Sequence, residues 1–270
     1  MLQHSGISIK LTSLTSSTTI RDIKEANLDS IHHQLYNIHK FPSKSPIPID
    51  INNTQEVLRA EGFNFCTLKN DTCVSDSLRQ NRIFEKFLVA FLSKIVNPDK
   101  NMLDVGSNIG VWSIVYSTII RGNIYAFEPQ EKIFDCLIKN IRLNQCANII
   151  PYNFALSDKK TNYLMNASYD ENNNFGAFRI CAEGSLSIHS EIGDSLNLTN
   201  IGFMKIDVEG HELQVLKGLS NTIQESKPLL LIEIHMTQEN CNDTFQYIVS
   251  IGYKYVLKIT HCDYLFFYDI

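Results

Sequence analysis

From residue 101 onward, short apolar runs alternate with stretches whose apolar residues recur every three or four positions. The short runs predict strands over residues 102–105, 123–127, 148–155, 201–206 and 228–234. The periodic stretches predict helices over 109–120, 131–144, 211–219 and 243–251. Two further strands, 253–259 and 264–268, follow each other without room for a helix. Strands separated by helices give a mainly parallel sheet covered on both faces, and the last two add an antiparallel pair at one edge. Residues 158–195 are less regular, and the polar run 169–174 reads as a mobile loop.

Upstream the pattern is weaker. Ile83, Phe84, Phe87, Leu88, Phe91, Leu92 and Ile95 form one apolar face and predict a helix over 80–96, stopped by Asn97-Pro98. Residues 62–68 and 72–75 read as strands, and Lys69-Asn70-Asp71 between them has the chemistry of a hairpin turn. Ile23, Leu28, Ile31, Leu35 and Ile38 give rough helical spacing over 21–39. His32, His33 and His39 on it do not share the three- or four-residue spacing of one helix face, so solvated histidines are expected rather than a metal site. The pattern therefore divides the chain into an extension, 1–75, made of a flexible leader, a helix and a hairpin, and an α/β domain, 76–270.

Composition narrows the classes. The net charge is -5, and no basic stripe is present, so nucleic acid is not the expected partner. Seven cysteines occur without a C-x-x-C pair, which argues for thiols in a reducing compartment and against a disulfide framework or a zinc site. No apolar run reaches membrane-spanning length. The Ser/Thr-rich start has no apolar core of a secretory signal, so a cytoplasmic location is expected, with organelle targeting left open.

In open α/β sheets ligands bind beyond the carboxyl ends of the strands, so the residues there carry the chemistry. After the first strand comes Asp104-Val105-Gly106-Ser107-Asn108-Ile109-Gly110. Gly106 lets a ligand approach the backbone, and the following helix start suits a carboxylate. Asp104 is placed to accept from an ammonium, directly or through water. A ligand bearing both charges, such as the methionine part of S-adenosyl-L-methionine, fits that arrangement. A dinucleotide is disfavoured, because the G-x-G-x-x-G spacing is missing. After the second strand, Glu128-Pro129 places an acid ~20 residues past the loop, where related folds bind the ribose hydroxyls. After the third, Ala155 and Leu156 are positioned to face an adenine ring. After the fourth come Lys205, Asp207, Glu209, Gly210, His211 and Glu212. Charge on a core strand is costly unless it lies at a ligand or is paired. Asp207 sits where a methyl group would be presented, while pairing of Lys205 with a carboxylate is the structural alternative. Glu233 and His235 end the fifth strand; His235 or His211 is a possible base for an acceptor hydroxyl.

These segments resemble the FkbM family of S-adenosyl-L-methionine-dependent methyltransferases. The matching pieces are Leu103-Asp104-Val105-Gly106-Ser107-Asn108-Ile109-Gly110, Ala126-Phe127-Glu128-Pro129, Ala155-Leu156-Ser157-Asp158 and Lys205-Ile206-Asp207-Val208-Glu209-Gly210-His211-Glu212. Phe84-Glu85 is similar to the family's aromatic-Glu pair, which adds Glu85 to the cofactor side. The resemblance implies a Rossmann-like, seven-stranded mixed sheet with a reversed last strand, the class I methyltransferase fold. It also implies O-methyl transfer to a hydroxyl of a sugar, glycolipid or secondary metabolite, without a metal. On this reading Glu85, Asp104, Gly106, Ser107, Asn108, Gly110, Glu128, Pro129, Ala155 and Leu156 hold the cofactor. Asp207, Glu209, His211 and His235 face a small-molecule or glycan acceptor. Two alternatives are an RNA ribose 2′-O-methyltransferase, to which Lys205 and Glu233 would belong, and a non-catalytic adenosyl-binding scaffold.

Overall fold

The computed structural model describes residues 2–4, 7–9, 11–25, 28, 47–167, 169, 174–237 and 239–269. Most of the helix expected over 21–39, with His32, His33 and His39, lies outside the described residues, as does most of the polar run 169–174.

Two short strands near the start, β1 (Leu2–His4) and β2 (Ile7–Ile9), pair with each other. The central sheet has eight strands. From one edge to the other they are β3 (Thr12–Ser13), β15 (Tyr255–Lys258), β16 (Asp263–Phe267), β14 (Leu229–Glu233), β13 (Ile201–Ile206), β6 (Asn101–Val105), β7 (Ile124–Phe127) and β8 (Ile149–Tyr152). The five strands from β14 to β8 are parallel, and β16 runs antiparallel to both β14 and β15. This is the seven-stranded, Rossmann-like mixed sheet with its reversed strand, and β3 adds an eighth strand at the edge. The leader is thus not wholly flexible. The unpaired edge of β15 takes up Thr12–Ser13, as exposed strand edges tend to do.

Side chains alternate between the two faces of each strand. Met102, Phe203, Leu231, Leu257 and Leu265 enter one core, with residues of α2 (Lys86–Leu92), α3 (Val111–Tyr116) and α4 (Glu131–Leu143). Leu103, Met204, Leu230, Ile232 and Phe266 enter the other, with residues of α5 (Glu212–Gly218), α6 (Ser220–Ser226) and α7 (Cys241–Ser250). Both faces are therefore covered, as a parallel sheet requires. Among the described residues, no helix is long and apolar enough to cross a membrane.

Three local expectations are corrected. The hairpin is formed by β4 (Gln55–Ala60) and β5 (Phe63–Leu68), not by residues 62–68 and 72–75. Glu61 and Gly62 make the turn with φ of 49° and 98°, the positive values that a two-residue turn between twisted strands demands. Asp71 instead accepts from Ser75 N at 2.8 Å, and residues 74 onward form helix α1 (Val74–Arg79). The helix expected over 80–96 is interrupted: Asn81 and Glu85 have positive φ, and α2 starts only at Lys86. Glu85 is held in that conformation by its tertiary partner, since Trp112 Nε1 donates to its carboxylate at 2.7 Å. Finally, residues within 155–165 and 180–192 build a second sheet. Its order is β11 (Ile180–Cys181), β10 (Thr161–Met165), β12 (Leu186–Ile192) and β9 (Ala155–Ser157), with β9 parallel to β12. None of the seven cysteines is in a disulfide.

Candidate active site

A cavity of about 390 Å³ opens beyond the carboxyl ends of β6, β7, β13 and β14. That is within the size range of small-molecule sites, ~300–1,000 Å³. Its floor is the loop after β6. Gly106 has φ of 78°, and a Cβ there would lie 1.8 Å from the Asp207 carbonyl oxygen. Only glycine lets the loop pass that close to the end of β13. The loop is pinned from the other side by Gly106 N and Ser107 N donating to the Phe127 carbonyl at 3.0 and 2.9 Å. Ser107 lines the cavity, is buried, and its hydroxyl has no partner among the described residues. A buried polar group of that kind is normally bonded, so it points to a ligand.

Glu128 faces the loop from β7. Its carboxylate accepts from Asn108 N at 3.0 Å and from Gln130 N at 2.8 Å. Burial pushes its pKa up to about 7, against the opposing pull of those two N–H groups. Pro129, Gln130, Ala155 and Leu156 continue the same wall. Phe178, Ile188 and Met165, from the second sheet and its loops, line the cavity from that side.

The opposite side is rich in carboxylates. Lys205 is buried and donates to Asp207 Oδ2 at 2.8 Å. Burial alone would lower its pKa, but the carboxylates of Asp207, Asp104 and Glu85 outweigh it and keep the ammonium charged. Burial likewise works against the Asp207 carboxylate, but Lys205 and a hydrogen bond from Glu233 hold it below the ordinary range. Glu233 is pushed up to about 9 by burial and the Asp207 charge, so it keeps its proton at neutral pH. Glu209, raised by burial and by Asp207, is met by Arg179 at 3.2 Å. The carboxylate oxygens of Asp207, Glu209 and Glu233 lie within 4.8 Å of one another. Glu85 is raised to about 7, chiefly by burial. Three non-glycine residues with positive φ line the cavity: Glu85, Asn108 and Glu209. Such backbone costs about 1–3 kcal/mol each and collects at functional sites.

The sequence-derived residues do not all reach the cavity. Glu85, Gly106, Ser107, Asn108, Glu128, Pro129, Ala155, Leu156, Asp207, Glu209, His211 and His235 line it. Asp104 and Gly110 do not. Asp104 is fully buried beneath the loop, where Ser113 Oγ donates to its Oδ2 at 2.6 Å. Asp104 thus stands behind the loop and not at the cavity surface; its Oδ1 has no partner among the described residues, and burial raises its pKa. Gly110 takes φ of 86° at the start of α3. His211 is held by Ser157 Oγ at 2.9 Å, and burial lowers its pKa to about 4, so it is neutral at pH 7. Lys205 takes the structural alternative, as the partner of Asp207.

Sequence reasoning missed Trp112, Gln130 and the wall formed by Met165, Phe178 and Ile188. The signal for part of that wall was present: Leu186, Ile188 and Ser190 alternate with the exposed Ser187 and His189 in the two-residue period of a strand.

The profile of the FkbM methyltransferase domain matches residues 104–255, more than half of the chain and every cavity-lining strand end described above. The hexuronic acid methyltransferase AglP of Haloferax volcanii is 34% identical over 155 residues, 56% of this chain and 62% of its own length. The chain thus spans less than two thirds of that relative. The FkbM methyltransferase structure from Methylobacillus flagellatus KT aligns with a TM-score of 0.48 at 23% identity, over 63% of this chain and 44% of that one. A precorrin-6y C5,15-methyltransferase from Geobacter metallireducens GS-15 aligns at 0.44 and 12% identity, over 67% and 86%. On the extent of the profile match, this chain belongs to the FkbM methyltransferase domain family.

Proposed function

We propose that the chain is an S-adenosyl-L-methionine-dependent O-methyltransferase acting on a sugar hydroxyl, free or within a glycan. The observation that carries this reading is the cavity's division into two walls. One wall holds the loop and Glu128; the other holds Asp207, Glu209 and Glu233. Three features fit the cofactor. Glu128 is a buried acceptor locked by two backbone N–H groups, suited to ribose hydroxyls. The Ser107 hydroxyl is buried with no partner among the described residues. The surplus of carboxylates around Lys205 favours a ligand that carries positive charge. When bound, the cofactor supplies an electrophilic methyl group on a cationic sulfur that departs as a neutral thioether.

The residues of this chain would do the rest by positioning and by managing one proton. Asp207, held by Lys205, accepts from the acceptor hydroxyl and aims its oxygen. As the new O–C bond forms, that proton leaves to Asp207 and is passed on to Glu209, whose affinity for a proton is raised by burial. His211, neutral and fixed to Ser157, forms the wall beside them. Similarity to a hexuronic acid methyltransferase supports a sugar as acceptor. Lys205, which an RNA ribose reading would place at the target hydroxyl, is already paired with Asp207.

The test is incubation of the purified protein with methyl-labelled cofactor and a panel of neutral hexosides, hexuronates and glycolipid extracts. Label is expected in a sugar methyl ether. Asp207→Asn is expected to lower kcat/KM by about 100-fold or more, the lower range of lost acid–base assistance. Normal turnover in that variant would remove Asp207 from the chemistry. Failure of the wild type to bind the cofactor by calorimetry would overturn the whole reading.

A further inference from the structure

Beside the cavity, at the carboxyl end of β14, a second cluster of ligating side chains comes together. His235 follows β14, and His261 and Cys262 lie in the turn between β15 and β16. One ligand atom from each of the three lies within 4.8 Å of the others. Glu233 joins them: its Oε1 is 3.3 Å from His235 Nε2 and 3.2 Å from Cys262 Sγ. Two segments of backbone hold the set in place. Ile234 N donates to the Cys262 carbonyl at 2.8 Å, and Glu233 is in register with Asp263 across β14 and β16.

We propose that Glu233, His235, His261 and Cys262 form a binding site for one borderline divalent cation of the zinc type. Two imidazoles, a thiolate and a carboxylate are the donors such an ion selects. Around a tetrahedral zinc, with bonds of ~2.0–2.3 Å, neighbouring donor atoms sit roughly 3.3–3.8 Å apart. The observed spread closes to that by small rotamer changes of His261, which is exposed at the turn and has room to move. Cys262 is buried, so the soft ligand is already inside. In the metal-free protein the thiol points at the Glu233 oxygen; coordination replaces that bond, and the thiol proton and the Glu233 proton leave to solvent. The ion would tie the β15–β16 turn to the end of β14, and Glu233 would exchange its hydrogen bond with Asp207 for the metal. The missing C-x-x-C pattern does not bear on this site, because its ligands come from two strand ends distant in sequence.

The test is metal binding by the tag-free 270-residue chain after removal of metal with a chelator. Zn2+ is expected to bind at one ion per chain by calorimetry. Co2+ is expected to give a near-ultraviolet thiolate-to-metal absorption band that Cys262→Ser abolishes. His261→Ala, a change at an exposed position that leaves the fold intact, is expected to weaken Zn2+ binding at least tenfold. Binding well below one ion per chain, or an affinity and a Co2+ spectrum unchanged in both variants, would overturn the proposal. None of these readouts uses methyl transfer, so the site stands or falls separately from the proposed activity.

Discussion

At the scale of single residues, Glu128 shows how a fold prepares a group for its ligand. Its carboxylate is buried, yet two backbone N–H groups fix it as an acceptor. Burial wins, and the folded-state pKa rises to about 7, above the ordinary 4.5. The folded protein therefore holds a proton there that the unfolded chain has released. The stability this group contributes is complete below about pH 4.5 and declines as pH rises to about 7. Cofactor binding has the opposite sign, because accepting two ribose hydroxyls favours the ionised form. Affinity is expected to tighten as pH rises from about 6 to about 8, then to level off. Glu85 and Glu212 also titrate near 7. The variant Glu128→Gln isolates the share of Glu128: it should bind more weakly at high pH and with a flatter pH profile. Calorimetric titration at several pH values reads this directly. An unchanged slope in the variant would remove Glu128 from the binding step.

At the scale of elements, the hairpin is joined to the domain by two asparagines, Asn140 of α4 and Asn144 at the cap of that helix. Asn144 Oδ1 accepts from Asn64 N at 3.0 Å, and its Nδ2 donates to Asn64 O at 2.7 Å. Asn140 does the same for Cys66 and also donates to the Ile109 carbonyl at 2.7 Å. The pair substitutes for a neighbouring strand along the free edge of β5. Asn140→Ala would leave three buried backbone groups unpaired. At about 1–3 kcal/mol for each, the loss is expected to be about 3 kcal/mol or more. For a chain of this size that lowers Tm by roughly 6–12 °C in scanning calorimetry. A shift of a degree or less would mean that water satisfies those groups. This junction also marks where sequence reading stopped. The strands from β6 onward were legible because their apolar runs and the helices between them follow fixed periods. The loop, Glu128 and Asp207 were legible because chemistry concentrates at strand ends. The partner of β5 was not, since Lys69-Asn70-Asp71 carries stronger turn chemistry than Glu61-Gly62, yet the strands close on the latter. The break before α2 was not, because Glu85 is held by Trp112, far along the chain. Asp104 looked like a ligand contact for want of any sign that Ser113 covers it.

At the scale of the whole molecule, the expected boundary at residue 76 cuts through a shared core. Phe63, Phe65 and Leu68 of β5 are buried in the same cluster as Ile133 and Leu137 of α4 and Trp112 of α3. Each such side chain contributes about 1.5–3 kcal/mol when fully buried. Three of them account for roughly 5–9 kcal/mol, comparable with the ~5–15 kcal/mol that holds a whole domain together. Cys73 and Val74, at the same boundary, line the cavity. A chain beginning at residue 76 is therefore expected to lack a cooperative melt by circular dichroism and to bind no cofactor. A chain beginning at residue 47 keeps the hairpin and loses β1 to β3 together with the buried side chains of Ile23 and Leu28. It is expected to melt cooperatively, at a lower temperature than the 270-residue chain, and to bind the cofactor. If the shorter chain melts cooperatively and binds as the longer one does, the hairpin is an appendage. If it fails while the longer chain succeeds, the functional unit begins with β4, and the extension is part of the domain that builds the site.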